Sequence, residues 1–209
     1  MTTKRLAMLI DTKRCFGCHT CAVACKTENN LPDGMWWNRV VTVGGDQMDT
    51  PSGTFPNLSM FFITLACQHC DDPPCVPVCP TGATYKRESD GVVLVDYDKC
   101  IGCGACVQAC PYDGVRTRNA EEMQYVTGFP VGDANVQQQQ PLTVAKCTFC
   151  DHRLAKGQQP ACIEVCPARA RVFGDLNDPE SEVSQLVETR ETFTLRPEKG
   201  TNPSVIFLK

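Results

Sequence analysis

Cys15-Phe16-Gly17-Cys18-His19-Thr20-Cys21-Ala22-Val23-Ala24-Cys25 and, 85 residues on, Cys100-Ile101-Gly102-Cys103-Gly104-Ala105-Cys106-Val107-Gln108-Ala109-Cys110 share one spacing, C-x2-C-x2-C-x3-C. Two further groups, Cys67, Cys70, Cys75, Cys79 and Cys147, Cys150, Cys162, Cys166, open with C-x2-C and close with C-x3-C around a longer middle gap. These are all 16 cysteines of a 209-residue chain, far above ordinary usage, so their chemistry governs fold and function alike. The first and third groups are each led by a short apolar segment, Leu9-Ile10-Asp11 and Leu94-Val95-Asp96. The second and fourth share Cys70-Asp71 with Cys150-Asp151 and Cys79-Pro80 with Cys166-Pro167. Each leading segment predicts a short strand and each x3 interval the start of a short helix, a duplicated small α+β unit.

Cluster geometry explains the spacing. A cubane [4Fe–4S] cluster has four irons, each needing one thiolate. A C-x2-C-x2-C loop curls round one cubane and reaches three corners, while the fourth cysteine, often followed by proline, ligates the neighbouring cluster. Pro80, Pro111 and Pro167 fit that rule, and Lys26 breaks it in the first group. Gly17 and Gly102 suit the tight wrap because glycine permits positive φ and close backbone approach. Phe16 and Ile101 are expected to shield the cube from water. Zinc prefers two separated C-x2-C knuckles, which these runs are not.

Several classes are excluded. Lys plus Arg is 20 against 24 Asp plus Glu, and a formal charge of −4 provides no basic surface for nucleic acid. The longest apolar runs, Met60 to Ile63 and Val92 to Val95, fall short of the roughly 18 residues of a membrane span. Lys4-Arg5 followed by Leu6 to Ile10 mimics a secretory leader, but Asp11 ends the run well before the roughly 7–15 apolar residues a leader needs. Without an export signal, a disulfide framework lacks its oxidising compartment. No catalytic residue is expected either. Sixteen thiolates match four cubanes with no iron left for substrate, and C-x3-C-x2-C, G-x-G-x-x-G and H-E-x-x-H are all missing. Full coordination points to electron transfer.

His19, His69 and His152 lie inside or beside the groups, where they either tune a cluster or simply pack. Trp36 and Trp37, in the 41-residue stretch 26–66, either cover the core or anchor a partner. Gln137 to Gln140 reads as a surface loop. Asp178-Pro179-Glu180 reads as an N-cap with proline at the first helical position, and Val205 to Leu208 as a strand. An oxidised, fully coordinated cubane carries about −2, so four bring the holoprotein to about −12. Lys13, Arg14, Lys26, Lys99, Lys146, Arg153 and Arg169 are placed to offset that charge, with Lys26 expected to raise the potential of the cluster at Cys25.

Only residues 80–99 separate groups two and three, the length and texture of a two-cluster ferredoxin linker, so these groups are expected to share a domain. Groups one and four then pair across it, although the repeat alone also permits one with two and three with four. The pattern around Cys25-Lys26-Thr27-Glu28-Asn29, Cys67-Gln68-His69-Cys70-Asp71 and Cys147-Thr148-Phe149-Cys150-Asp151-His152-Arg153 resembles the iron–sulfur subunits of molybdopterin oxidoreductases. That family includes the dimethyl sulfoxide, polysulfide, thiosulfate, tetrathionate and arsenate reductase types. The tail Ala170 to Leu176 and Leu195 to Pro197 is most similar to the arsenate and polysulfide branch.

The resemblance implies two ferredoxin-like 2[4Fe–4S] domains in an α+β fold. One is discontinuous (1–30 with 141–178), the other spans 58–119, with insertions at 31–57 and 120–140 and a C-terminal extension at 179–209. It implies four [4Fe–4S] clusters: Cys15, Cys18, Cys21, Cys166; Cys147, Cys150, Cys162, Cys25; Cys67, Cys70, Cys75, Cys110; and Cys100, Cys103, Cys106, Cys79. Tyr112-Asp113-Gly114 departs from the Tyr-Gly of many relatives. The implied partners are a molybdenum or tungsten catalytic subunit and a quinone-linked membrane anchor or a soluble carrier. The implied location is peripheral, on the outer face of the membrane if co-exported with a signal-bearing partner, or cytoplasmic. The competing expectation is a free-standing soluble polyferredoxin.

Overall fold

A computed structural model describes residues 4–209. The elements run β1 (Leu6–Asp11), α1 (Thr20–Glu28), β2 (Arg39–Val43), β3 (Ser52–Thr54), β4 (Asn57–Ser59), β5 (Phe61–Leu65), β6 (Thr84–Lys86) and β7 (Val93–Val95). They continue with α2 (Ala105–Gln108), β8 (Arg116–Arg118), β9 (Val144–Lys146), α3 (Asp151–Leu154), α4 (Ala161–Glu164), β10 (Arg171–Asp175), α5 (Glu182–Thr189), β11 (Thr192–Phe193) and β12 (Val205–Leu208). This is mixed α and β content with few and short helices.

The leader-like run Leu6 to Ile10 is a core strand. β1 is buried on both faces, which explains its continuous apolar sequence. Met8 and Ile10 face a cluster with Val92, Leu94, Phe149, Val205 and Phe207, while Ala7 and Leu9 face Val183 and Leu208 beneath α5. β1 pairs antiparallel with β10 (Leu6↔Asp175 to Ile10↔Arg171) and parallel with β12 (Met8↔Val205 to Asp11↔Leu208). The sheet order is β10-β1-β12-β11. The tail after 179 therefore supplies a central strand. Four two-stranded ribbons, β2-β5, β3-β4, β6-β7 and β8-β9, make up the rest.

Short helices form within three of the four groups. α1 carries Cys21 and Cys25 one turn apart and continues past Cys25, because Lys26 stands where the other groups have proline. α2 and α4 end before Pro111 and Pro167. The helix expected at Cys75–Cys79 does not form. Pro77 lies inside that interval, lacks the amide a helix needs and disfavours helical Val76, so the segment stays a turn. The tail helix also departs from expectation. Asp178 instead closes a turn, accepting from the Glu180 amide at 3.0 Å, and Ser181 precedes the first helical residue, Glu182.

Candidate metal centres

All 16 cysteines are free thiols, gathered in four tetrads. Cys15, Cys18, Cys21 and Cys166 line one cavity with Phe16, Ile10 and Val40. Cys25, Cys147, Cys150 and Cys162 line a second with Met8, Trp37 and Phe149. Cys79, Cys100, Cys103 and Cys106 line another with Ile101, Thr84 and Val144. Cys67, Cys70, Cys75 and Cys110 form the remaining tetrad, with Cys70 and Cys110 each within electrostatic range of the other members.

Adjacency between tetrads follows from thiols close enough for their charges to interact. Cys162 meets Cys21, Cys147 meets Cys67, and Cys75 meets Cys106. The tetrads of Cys15, Cys25, Cys67 and Cys79 thus form a row in that order. Only the two end tetrads own an exposed cysteine, Cys18 and Cys103, while Cys110, Cys147 and Cys162 of the middle two are half-buried. Beside them Phe16 and Ile101, expected as shields, line their cavities yet remain 59% and 65% exposed.

Backbone geometry forms these loops. Gly17 and Gly102 have φ of +77° and +65°. A β-carbon at Gly17 would lie 2.5 Å from the Phe62 ring, and one at Gly102 would overlap the Leu142 carbonyl oxygen. Amides also point at sulfur. Thr84 N–H donates to Cys79 Sγ at 3.3 Å, Ala170 N–H to Cys166 Sγ at 3.3 Å and Phe149 N–H to Cys147 Sγ at 3.5 Å. The Asn29 side-chain amide adds a bond to Cys25 Sγ at 3.7 Å. Burial pushes Cys70 and Cys147 up to about 12, Cys110 to about 11 and Cys25 well above its ordinary value. Metal binding must therefore displace protons from these thiols.

Three buried cations stand among the tetrads. Arg171 reaches Cys21 Sγ at 3.3 Å, Cys162 Sγ at 3.5 Å and Asn38 Oδ1 at 3.4 Å. Arg116 donates to Cys75 Sγ at 2.9 Å. Lys146 Nζ bonds the carbonyls of Val93 and, at 2.9 Å, Cys147; burial, with Arg116 beside it, holds its pKa below the ordinary lysine value, against the charges of Cys67, Cys147 and Cys75, which favour the ammonium. Sulfur-only donors, amides aimed at sulfur and buried cations suit anionic metal–thiolate clusters.

Of the seven basic residues singled out from sequence, only Lys146 is buried. Lys26 donates to Pro32 O at 2.7 Å and Met35 O at 3.2 Å, with Nζ 5.0 Å from the Trp36 ring. Arg171 is a cation whose charge acts on Cys25. Lys99 pairs with Asp96, Arg153 bridges Glu28 and Glu164, and Lys13, Arg14 and Arg169 are exposed. Arg116 and Arg171 were missed because neither borders a cysteine motif; each sits five or six residues beyond one, on a strand.

The histidines differ in role. His69 is buried, stacks on Phe149 at 3.7 Å and accepts from the Val93 amide at 3.2 Å; burial holds its pKa well below the ordinary value, so it packs as a neutral ring. His152 pairs with Glu28 at 2.9 Å, and His19 takes a left-handed turn before α1. Trp37 is core, beside Cys25, and Trp36 is 38% exposed. Gln139 is buried, accepting from Tyr97 Oη at 3.2 Å, so the glutamine run is not simply surface. Asp113 is held by Arg39, which donates to its carbonyl at 2.7 Å, and by Arg196 at its carboxylate at 2.8 Å.

The comparisons agree with this chemistry. A family model described as a 4Fe-4S dicluster domain matches residues 58–127 and 115–176, and a 4Fe-4S binding domain model matches residues 12–28. A Halobacterium salinarum protein provisionally assigned as a dimethyl sulfoxide reductase iron–sulfur subunit is 48% identical, across 96% of this chain and 78% of its own length. The arsenate respiratory reductase iron–sulfur subunit of a Shewanella species is 42% identical, across 98% and 96%. A selenate reductase subunit of Mesobacillus selenatarsenatis is 42% identical, across 96% and 70%. Among the described residues no helix is long and apolar enough to cross a membrane. The chain belongs to the 4Fe–4S dicluster family, among the electron-transferring iron–sulfur subunits of the dimethyl sulfoxide, arsenate and selenate reductase kind.

Proposed function

We propose that the chain binds four [4Fe–4S] clusters and relays single electrons between a molybdopterin catalytic subunit and a quinone-linked membrane anchor or soluble carrier. Each tetrad holds one cluster: Cys15, Cys18, Cys21 and Cys166 the first; Cys147, Cys150, Cys162 and Cys25 the second; Cys67, Cys70, Cys75 and Cys110 the third; Cys100, Cys103, Cys106 and Cys79 the fourth. When bound, the clusters supply one-electron redox chemistry. The protein's own part is to hold them in a row, exclude water from the middle two and leave an end open on each side. The observation that carries this is the row itself, in which only the end tetrads own an exposed cysteine.

Residues 1–30 with 141–178 then form one ferredoxin-like domain and 58–119 the other. The β1-β10 ladder and the packing of α1 on α4 support the discontinuous half. Residues 31–57 and 120–140 are insertions, and the extension 179–209 completes the first domain's sheet. Catalysis belongs to the partner, and no residue of this chain acts on organic substrate.

Metal analysis of the complex, purified anaerobically through a tag on this chain, is the test. Iron near 16 per chain by the four-thiolates-per-cubane rule, with acid-labile sulfide and stoichiometric molybdenum or tungsten, is expected. Iron without either metal or a large partner would instead identify a free polyferredoxin. Zinc in place of iron would refute the cluster assignment altogether.

A further inference from the structure

Buried charges in proteins are ordinarily paired with opposite charges or bound to metals. Arg116, Lys146 and Arg171 are 3%, 2% and 7% exposed, yet among the described residues no carboxylate lies in ion-pair range of any of them. Arg116 and Lys146 are also directly opposite one another in the β8-β9 ladder, where like charges repel. Arg116 Nη1 is buried and has no hydrogen-bond partner among the described residues. Something anionic that the side chains do not provide must hold this arrangement together.

The surroundings identify it. Arg171 donates to Cys21 of the first tetrad and Cys162 of the second. Lys146 Nζ donates to the carbonyl of Cys147 of the second at 2.9 Å and to that of Val93, which packs in one cluster with Cys75 of the third. Arg116 donates to Cys75 of the third, and Cys106 of the fourth acts on it. One cation thus stands at each of the three junctions in the row, and each interacts with thiols of both neighbours.

We infer that Arg171, Lys146 and Arg116 are junction counter-charges: each sits between two consecutive clusters and raises the reduction potential of both. The inference rests on the four-cluster assignment above. Adding one electron takes a fully coordinated cubane from about −2 to about −3, so a fixed buried cation favours the reduced form. The same charge lessens repulsion between two neighbours that are reduced together. Because the groups are buried, salt screens them little. These are positioning residues, since they ligate nothing and act through the field at the clusters.

The test is a redox titration of the purified holo-complex followed by electron paramagnetic resonance, with iron per chain measured alongside. Variants are Arg171→Gln, Lys146→Gln and Arg116→Gln. In each, two of the four centres should become harder to reduce by at least tenfold, which is 59 mV for one electron. The pairs should overlap in order. Arg171→Gln and Lys146→Gln share one shifted centre, Lys146→Gln and Arg116→Gln share another, and Arg171→Gln and Arg116→Gln share none. That pattern can be read without prior assignment of signals.

Unchanged potentials, a single shifted centre per variant, or the same centres shifted by all three would overturn the inference. Should a neutral variant lose iron, Arg171→Lys, Arg116→Lys and Lys146→Arg decide the matter. Full iron with potentials inside the tenfold limit supports a role for charge, and loss of iron there overturns it. Fewer than four one-electron centres in the unaltered protein would refute the four-cluster assignment itself, and the junction roles with it.

Discussion

Gly102→Ala isolates what the wrapping loop requires. Gly102 has φ +65°, and a β-carbon there would overlap the carbonyl oxygen of Leu142. That carbonyl cannot easily retreat. Its segment is pinned by Asn119, whose amide donates to Thr143 O at 2.8 Å and whose side chain donates to Gln140 O at 2.7 Å. Left-handed backbone costs an alanine about 1–2 kcal/mol, and overpacking adds about 1–3 kcal/mol, so about 2–5 kcal/mol is expected. Gly104 is the internal control, with φ +76° and nothing within 4 Å of a new β-carbon. Gly104→Ala carries the backbone cost alone, about 1–2 kcal/mol. Gly17→Ala should fall between them, because its obstacle is the Phe62 ring, which can turn aside. At roughly 2–4 °C per kcal/mol for a chain this size, Gly102→Ala should melt about 10 °C below wild type. The assay is thermal unfolding of the holoprotein at one fixed scan rate, paired with the rate of iron loss to a chelator. Equal losses in Gly102→Ala and Gly104→Ala would show that the Leu142 carbonyl yields and that only φ matters.

Three further outcomes follow from single contacts. Lys26→Ala should leave every cluster potential in place and cost about 1 kcal/mol, because its ammonium binds the Pro32 and Met35 carbonyls rather than the cluster site; a redox titration displaced from wild type would contradict this. Asn29→Leu removes an N–H···S bond to Cys25, so only the cluster on that cysteine should become harder to reduce, and a titration with no centre moved refutes the assignment. Burial raises the Asp11 pKa, but bonds from Arg190 and from the Lys13 and Arg14 amides outweigh it and hold the carboxyl below its ordinary value. A lowered folded pKa contributes stability that is complete above the unfolded value of about 3.9 and is lost as pH falls through the folded one. The Tm gap between wild type and Arg190→Gln should therefore narrow as the buffer is taken from about pH 6 towards pH 3, and a constant gap excludes the pair as its source.

Spacing makes the cysteine groups legible because each cubane imposes a local rule on a short stretch. The strands before Cys15 and Cys100 and the strand Val205 to Leu208 follow from apolar runs of the right length. Non-local pairings do not show in this way. Nothing in Val205-Ile206-Phe207-Leu208 says that it lies parallel to β1, 197 residues away between Met8 and Val205, in the middle of the sheet. Tertiary demands also override local signals. Pro77 cancels a helix that the C-x3-C interval suggests, and the Asp178 side chain closes its own turn where a cap was expected. Gln139 reads as solvent-facing until Tyr97 supplies its buried partner. Lys26 adjoins Cys25 along the chain, yet nothing in that adjacency announces that its ammonium binds the Pro32 and Met35 carbonyls.

The duplication itself argues that the buried charges are required. Counting from the last cysteine of each related group, Cys166 to Arg171 corresponds to Cys79 to Thr84. The backbone keeps an amide on that sulfur in both halves, one residue out of step: Ala170, four past Cys166, and Thr84, five past Cys79, each donate at 3.3 Å. The charge does not follow the correspondence. Threonine stands where the other half has arginine, and the cation near the corresponding thiols is instead Arg116, reaching in from β8 to Cys75. Lys146 likewise precedes the first cysteine of group four, where group two has Ala66. If the cations only filled space, the two halves would have kept or lost them together. Supplying the same charge at equivalent junctions from unrelated positions is what an electrostatic requirement produces, and it is why no motif in the sequence announces it.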